Sequence, residues 1–382
     1  MSSFYQRCLG CGKRFVEDNY RRNCECGGLL LFYYKDVEWE NIPDGKYGNS
    51  VWRYHELLPL KNLKNALDIG VKKTPLIKSE VIAKEFALEN LYIKVESENP
   101  TRTFKDREAF MTLSRLRELG YRELVTATTG DSGVAHARGA SIVGMKLHVF
   151  LPENAVQRWE SMVDEVNINN NLIKLHVEGK TFDQAIEKAG KFAERNDLPL
   201  EYGFYNQLRI EGMKTMGFEV LEELKRVPDW YIQTVASGVG VYGFNKACQE
   251  MYGKSPRLVG IQPGGCCPMV NAFNGKTNPE VEVVDTYAMG IAQPKLYPSY
   301  PYLRDIGCIF EAVFDGGRKT EKKEIPRLLS LYHEEGVKDV GVEATIALAG
   351  LEKLVREKMV MEKDVVVLCC SGGMRADLPW NK

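Results

Sequence analysis

Between residues 90 and 370 the chain passes again and again from a short, apolar, β-branched run into a longer amphipathic stretch, and this alternation limits its fold more than any other feature. The runs at 90–95 (NLYIKV), 123–128, 146–151, 230–236, 257–262 and 364–370 have the length and composition of strands. Residues 104–119, 132–143, 182–195, 212–224 and 342–358 space their apolar side chains three to four apart, which predicts helices. Strands joined by helical crossovers pair in parallel, so an α/β fold with parallel sheets covered on both faces is expected. No internal repeat or low-complexity tract interrupts the pattern. A length of 382 residues suits two or three compact units. A net charge of −1 offers nucleic acid or an anionic membrane no special attraction. The opening MSSFYQRCLGCGK lacks the apolar core of a signal peptide, and no run approaches a membrane span, so a cytoplasmic protein is expected.

Four of the ten cysteines gather near the start, as Cys8-x-x-Cys11 and Cys24-x-Cys26, each pair beside glycine. Thiolates on two tight turns can converge on one tetrahedral zinc, and so short a segment lacks a core without a staple. The expectation is a zinc-knuckle-like segment over 1–34 with a structural role, since four thiolates leave no open position. The second pair is closer than the usual two-residue spacer, so a metal-free relic held by packing is the competing reading. The polar stretch 35–50, with Pro43, Gly45 and Gly48, reads as a linker. Cys248 and Cys308 read as small buried hydrophobes.

Four strand-to-helix junctions or turns carry candidate chemistry. Glu98-Asn99-Pro100-Thr101-Arg102-Thr103-Phe104-Lys105-Asp106-Arg107 places Lys105 just inside a helix start, suited to a Schiff base and to moving a proton. Thr128-Thr129-Gly130-Asp131-Ser132-Gly133 offers amides and hydroxyls to an anion such as an amino-acid carboxylate. Ala236-Ser237-Gly238-Val239-Gly240 lets a backbone approach a phosphate at a helix N-terminus. Cys369-Cys370-Ser371-Gly372-Gly373 follows the last strand, at the edge where open α/β sheets bind ligands. Each alone is also an ordinary capped helix or packing turn; their order is what is specific.

In that order, and together with SVWRYHELLPL, the TPL of Thr74–Leu76, LYIKVESENPTRTFKDR and NQLRIEGMKT, these blocks make the whole chain resemble threonine synthase. More broadly it resembles the fold type II pyridoxal-phosphate enzymes. The resemblance implies two α/β lobes within residues 51–382, the smaller at roughly 100–200, holding pyridoxal phosphate between them, often in a homodimer. It implies Lys105 as the Schiff-base lysine and Asp131 beside the cofactor's phenolate oxygen. Thr129, Ser132 and Gly133 would hold the substrate carboxylate, and Ser237, Gly238, Val239 and Gly240 the cofactor phosphate. Cys370 or Ser371 would face the pyridine nitrogen, where a neutral partner goes with elimination and replacement. Arg209, with Lys94, Thr103 and Arg102 nearby in the motifs, would meet a substrate phosphate.

The sequence departs from the family pattern inside these blocks. Arg102, Thr103 and Glu108 stand where the family usually has Gly, Ser and Gly, and Asp131 where it has Asn. The expected reaction is phosphate elimination and replacement on an O-phosphorylated amino acid, phosphohomoserine to threonine or a specialised variant of it. The alternatives are β-replacement on phosphoserine, as in cysteate synthase, a serine or threonine dehydratase, and a non-catalytic descendant that only binds.

Overall fold

A computed structural model describes residues 4–16, 19–35, 47–166, 168 and 171–375. Most of the expected linker, at 36–46, lies outside them. Among the described residues the strands are, in chain order, β1 (Phe4–Cys8), β2 (Arg14–Phe15), β3 (Leu30–Tyr34), β4 (Leu76–Lys78), β5 (Asn90–Val95), β6 (Glu123–Ala127), β7 (Lys146–Leu151), β8 (Ile173–Val177), β9 (Leu200–Glu201), β10 (Trp230–Thr234), β11 (Arg257–Pro263), β12 (Ile309–Val313) and β13 (Val365–Cys370). They fall into two compact units: Met1–Lys73, Asn99–Thr101 and Lys105–Thr215; and Thr74–Glu98, Arg102–Phe104 and Met216–Lys382.

The first unit holds an antiparallel three-stranded sheet, order β2-β1-β3, and a parallel four-stranded sheet, order β8-β7-β6-β9. Its core joins Ala109, Phe110, Leu113 and Leu116 of helix Lys105–Glu118 to Val134, Ala137 and Ala140 of helix Asp131–Val143. The two helices approach closely because Gly139 has no side chain; a Cβ there would lie 2.6 Å from Leu113 Cδ1. Trp52 closes one side of this core, edge-on to Phe110, with its indole N–H donating to the Leu67 carbonyl.

The second unit carries a six-stranded sheet, order β12-β11-β10-β13-β5-β4, parallel except where β4 runs against β5. Its central strands are buried along nearly their whole length, β10 as WYIQT and β13 as VVVLCC. Such continuous burial is what a parallel strand covered on both faces requires. The α/β architecture with parallel sheets is therefore the one the alternating pattern implied.

Three differences in detail have physical reasons. β8 and β12 were not expected as strands; both are edges of their sheets, half exposed, and lack the unbroken apolar run of the interior. The helix expected from 212 begins at Gln207, because the charges of its first turns are answered by neighbours, Arg209 by Glu201 and Glu211 by Lys214. The run expected to 236 pairs as a strand only to Thr234. No described helix is long and apolar enough to cross a membrane.

Candidate active site

In the first unit Lys105 is the opening residue of its helix, and the turn before it is fixed by Asp106, whose carboxylate accepts from the Thr101 N–H at 2.7 Å and its hydroxyl at 2.9 Å. The Lys105 Nζ donates to Glu108 Oε1 at 2.9 Å, one turn along the same helix face. The other oxygen of Glu108 accepts from the Ser132 hydroxyl at 3.2 Å and lies 3.2 Å from the Arg209 guanidinium. Arg209 in turn grips Glu201 with two N–H groups, at 2.5 and 2.9 Å. Glu108 and Glu201 are fully buried, as is His136, whose Nε2 lies 3.2 Å from Glu201. Burial by itself would raise the Glu201 carboxyl, but the Arg209 and His136 charges outweigh it and hold it well below the usual carboxylate range.

The loop ahead of helix Asp131–Val143 is shaped by Thr128, whose hydroxyl oxygen accepts from the N–H groups of Gly130 and Gly133, both at 3.1 Å. Gly133 is obligatory for packing: a Cβ would lie 2.3 Å from Thr128 Cγ2 and 2.9 Å from the Trp159 ring. Thr129, Asp131 and Ser132 remain half exposed at this helix start. Asp131 stands 3.5 Å from the Arg158 guanidinium.

In the second unit Ser237 and Gly238 lead from β10 into helix Val239–Tyr252. Its first intrahelical bond runs from the Tyr242 N–H to the Gly238 carbonyl, so the amides of Val239, Gly240 and Val241 have no acceptor within the helix. Gly238 has φ +75°, and a Cβ there would meet Leu303 at 2.3 Å. A Cβ on Gly240 would meet the Gln233 amide at 2.6 Å. Beyond β13, Ser371 and Cys370 are buried, and burial pushes the Cys370 thiol up to about 12, so both groups at this position are neutral.

The segment before Lys105 is tied to this terminal loop: the Phe104 N–H donates to the Ser371 carbonyl at 3.0 Å, the Thr103 hydroxyl reaches the same oxygen at 3.4 Å, and the Gly373 N–H donates to the Arg102 carbonyl at 2.8 Å. Arg102 adopts φ +60°, a conformation that favours glycine, the residue the family usually has there. Its guanidinium makes a two-pronged pair with Asp339, both bonds 2.7 Å, and also donates to the Met374 carbonyl. Lys94 is fully buried, donating to Glu219 and to the Thr74 carbonyl, each at 2.6 Å.

Thus Lys105, Ser132 and Arg209 converge on Glu108, while Lys94 and Arg102 are held by carboxylates elsewhere, Glu219 and Asp339. Glu108 was legible as a departure from the pattern but carried no role; its i, i+3 spacing from Lys105 was the available signal. Glu201, His136, Arg158 and Asp339 gave no signal, because their partners lie far off in sequence.

Also in the first unit, the sulfurs of Cys8, Cys11, Cys24 and Cys26 lie within 4.8 Å of one another, a group able to hold a metal. Cys8 and Cys26 are 3.5 Å apart, Cys11 and Cys24 3.6 Å. Sulfurs at 2.3 Å from a tetrahedral zinc would be about 3.8 Å apart, so little movement is needed.

A family model for pyridoxal-phosphate dependent enzymes matches residues 67–372. The chain is 31% identical to the threonine synthase of Methanocaldococcus jannaschii over 96% of its own length and 91% of that protein's. It is 27% identical to the cysteate synthase of Methanosarcina mazei, over 98% and 92% of the two lengths. Among solved structures, maize serine racemase shares the fold with a TM-score of 0.67 at 18% identity, covering 83% of this chain and 94% of that one. The chain therefore belongs to the pyridoxal-phosphate dependent enzymes, and within them to the threonine synthase-like lyases. Its residues suit the cofactor: a primary amine on Lys105, helix-start amides without intrahelical acceptors at 239–241, and neutral groups at 370 and 371.

Proposed function

We propose that this enzyme eliminates phosphate from an O-phosphorylated amino acid and completes a replacement at the β- or γ-carbon, as in the conversion of phosphohomoserine to threonine. The observation that carries this reading is the meeting of Lys105 and Ser132 on Glu108, which sets a lysine amine beside the loop suited to an amino-acid carboxylate. Bound pyridoxal phosphate supplies an electron sink for charge developing next to the substrate's amino group. Lys105 holds the cofactor and moves protons at the substrate carbons. Thr129, Ser132 and Gly133 bind the substrate carboxylate; Ser237, Gly238, Val239 and Gly240 bind the cofactor phosphate through amides and the helix dipole. Cys370 or Ser371 faces the ring nitrogen as a neutral group, and Asp131 faces the phenolate oxygen. Arg209, Thr103, Arg102 and Lys94 are the candidates for the substrate phosphate. Of the three cations, Arg209 is the one that reaches the carboxylate shared by Lys105 and Ser132.

Incubation with phosphohomoserine, phosphoserine, serine and threonine tests this. Phosphate release from a phosphorylated amino acid is expected; ammonia from serine or threonine alone, with no phosphate released from either phosphorylated compound, would overturn it. Phosphoserine with sulfite separates the cysteate synthase-like route. A protein that neither binds the cofactor nor turns over would be the binding-only descendant.

The enzyme is further proposed to be a cytoplasmic homodimer acting on a small amino-acid substrate, with zinc bound by Cys8, Cys11, Cys24 and Cys26 as a structural staple. Metal analysis under reducing conditions should find about one zinc per chain. Cys8→Ser should lower the melting temperature while leaving kcat nearly unchanged, and metal-free wild-type protein would leave the relic reading.

A further inference from the structure

The stretch that carries Glu201 and Arg209 has little strand pairing of its own. β9 is two residues long and forms an edge of its sheet, paired with β6 alone. The open side of an edge strand leaves carbonyls that need donors. Here the donors come from the cysteine-bearing segment, 180 residues earlier in the chain. The Tyr20 hydroxyl donates to the Leu200 carbonyl at 2.9 Å, and the Arg22 guanidinium donates to the Tyr202 carbonyl at 3.2 Å while lying over the Tyr202 ring. The Gln207 side-chain amide donates to the Arg21 carbonyl, and the Tyr34 hydroxyl donates to Glu211 at 2.5 Å. Residues 20–22 are anchored in turn, since Asn23 pairs with Leu29 and the Cys24 N–H donates to the Gly28 carbonyl at 3.0 Å.

The side chains of this stretch serve the charge network. Glu201 meets Arg209, His136 and, at 3.0 Å, the Thr126 hydroxyl, and Asn206 donates to it at 3.2 Å. The Arg209 N–H donates to the Asn206 carbonyl at 3.0 Å, so a shift of residues 200–206 moves the helix turn that carries the guanidinium. We infer that Tyr20 and Arg22 are positioning residues that clamp the open edge of β9 and thereby fix Glu201 and Arg209, so that the cysteine-bearing segment sets how tightly a phosphorylated substrate is held. This rests on Arg209 being the cation that meets the substrate phosphate. A loosened clamp spreads Arg209 over several positions and leaves the surroundings of Lys105 unchanged, so binding weakens before turnover does.

The test uses the full-length, cofactor-loaded enzyme and compares wild type with Tyr20→Phe, which removes one hydroxyl, and Arg22→Met, which keeps length without donors. Amide hydrogen exchange of peptides covering 200–211 should quicken about two- to tenfold, the factor that one lost hydrogen bond gives, while β8, at the opposite edge of the same sheet, keeps its rate. KM for phosphohomoserine should rise by a similar factor with kcat within about twofold, the pattern of lost binding rather than lost chemistry. Unchanged exchange at 200–211 in both variants overturns the inference, and so does equal quickening at β8, which marks general loosening. Arg209→Lys separates the underlying reading. If it raises KM and neither clamp variant does, the inference falls; if it leaves KM unchanged, the assignment of Arg209 to the phosphate falls, and exchange alone decides the clamp.

Discussion

Around Lys105 the first unit gathers ionisable side chains, Glu108, Arg209 and Glu201, each answered by another, whereas around Gly238 and Gly240 the second unit packs the Leu303 and Gln233 side chains tightly against the turn and leaves the amides of 239–241 without acceptors in their helix. The difference shows where a sequence can change. A charge network accepts a new member wherever a counter-charge is within reach, so Glu108 could enter beside Arg209 and Asp131 beside Arg158. Arg102 obeys the same rule in the second unit, with Asp339 as its answer. The glycine loop offers no such freedom, since its limits are a positive φ at 238 and contacts under 3 Å at both glycines. The departures from the family pattern fall accordingly, and positions 238 and 240 keep the glycines that this tight packing requires.

The largest effect expected is from Lys105→Ala, which removes the amine proposed to hold the cofactor. Covalent attachment of the cofactor on borohydride reduction should vanish and turnover should fall at least about a thousandfold. Cofactor trapped instead on another lysine would mean that the charge network surrounds a structural lysine.

Gly240→Ala strikes the other side of the comparison. Its Cβ would meet the Gln233 amide at 2.6 Å, and Gln233 is fixed by the Tyr231 hydroxyl at 2.7 Å. Overpacking should cost about 1–3 kcal/mol of stability, and cofactor affinity should fall by more than in any single charge substitution around Glu108. An unchanged cofactor titration would show that the amides of 239–241 do not hold the phosphate.

Glu201→Gln sharpens the charge side through pH. The Glu201 carboxyl lies below its ordinary value of 4.5, so its stabilising contribution is complete above that pH and is lost as pH falls through the lower folded value. Removing it leaves Arg209 partly unanswered, at about 3 kcal/mol near neutral pH. Denaturation of wild type and variant should differ by a constant amount above pH 4.5 and converge only below it. Convergence beginning near neutral pH would point to another group.

Asp131→Asn, which restores the family residue, should have the smallest effect on stability. Its pair with Arg158 is long and partly exposed, and such pairs contribute less than about 1 kcal/mol. The sensitive readout is the cofactor spectrum across pH, which should become flatter in the variant if Asp131 faces the phenolate oxygen. Identical spectra would make Asp131 a helix-start residue paired with Arg158 and nothing more.

Much of this was written in local sequence. The α/β class follows from continuous apolar runs such as VVVLCC, because strands buried on both faces must be apolar throughout. Edge strands were missed for the same reason: Ile173–Val177 and Ile309–Val313 are half exposed and carry no such run. The motif residues Lys105, Ser132 and Gly238 could be singled out because each stands at a helix start whose turn is set by its immediate neighbours. Their partners could not. Glu201, far from Lys105 in the chain, is linked to it through Arg209 and Glu108, and Asp339 reaches Arg102 across 237 residues. Sequence fixes which residues can carry charge or turn the chain, since those are properties of single residues and short spacings. Which charges neutralise one another is decided only when packing excludes water and brings distant carboxylates and cations within hydrogen-bonding distance.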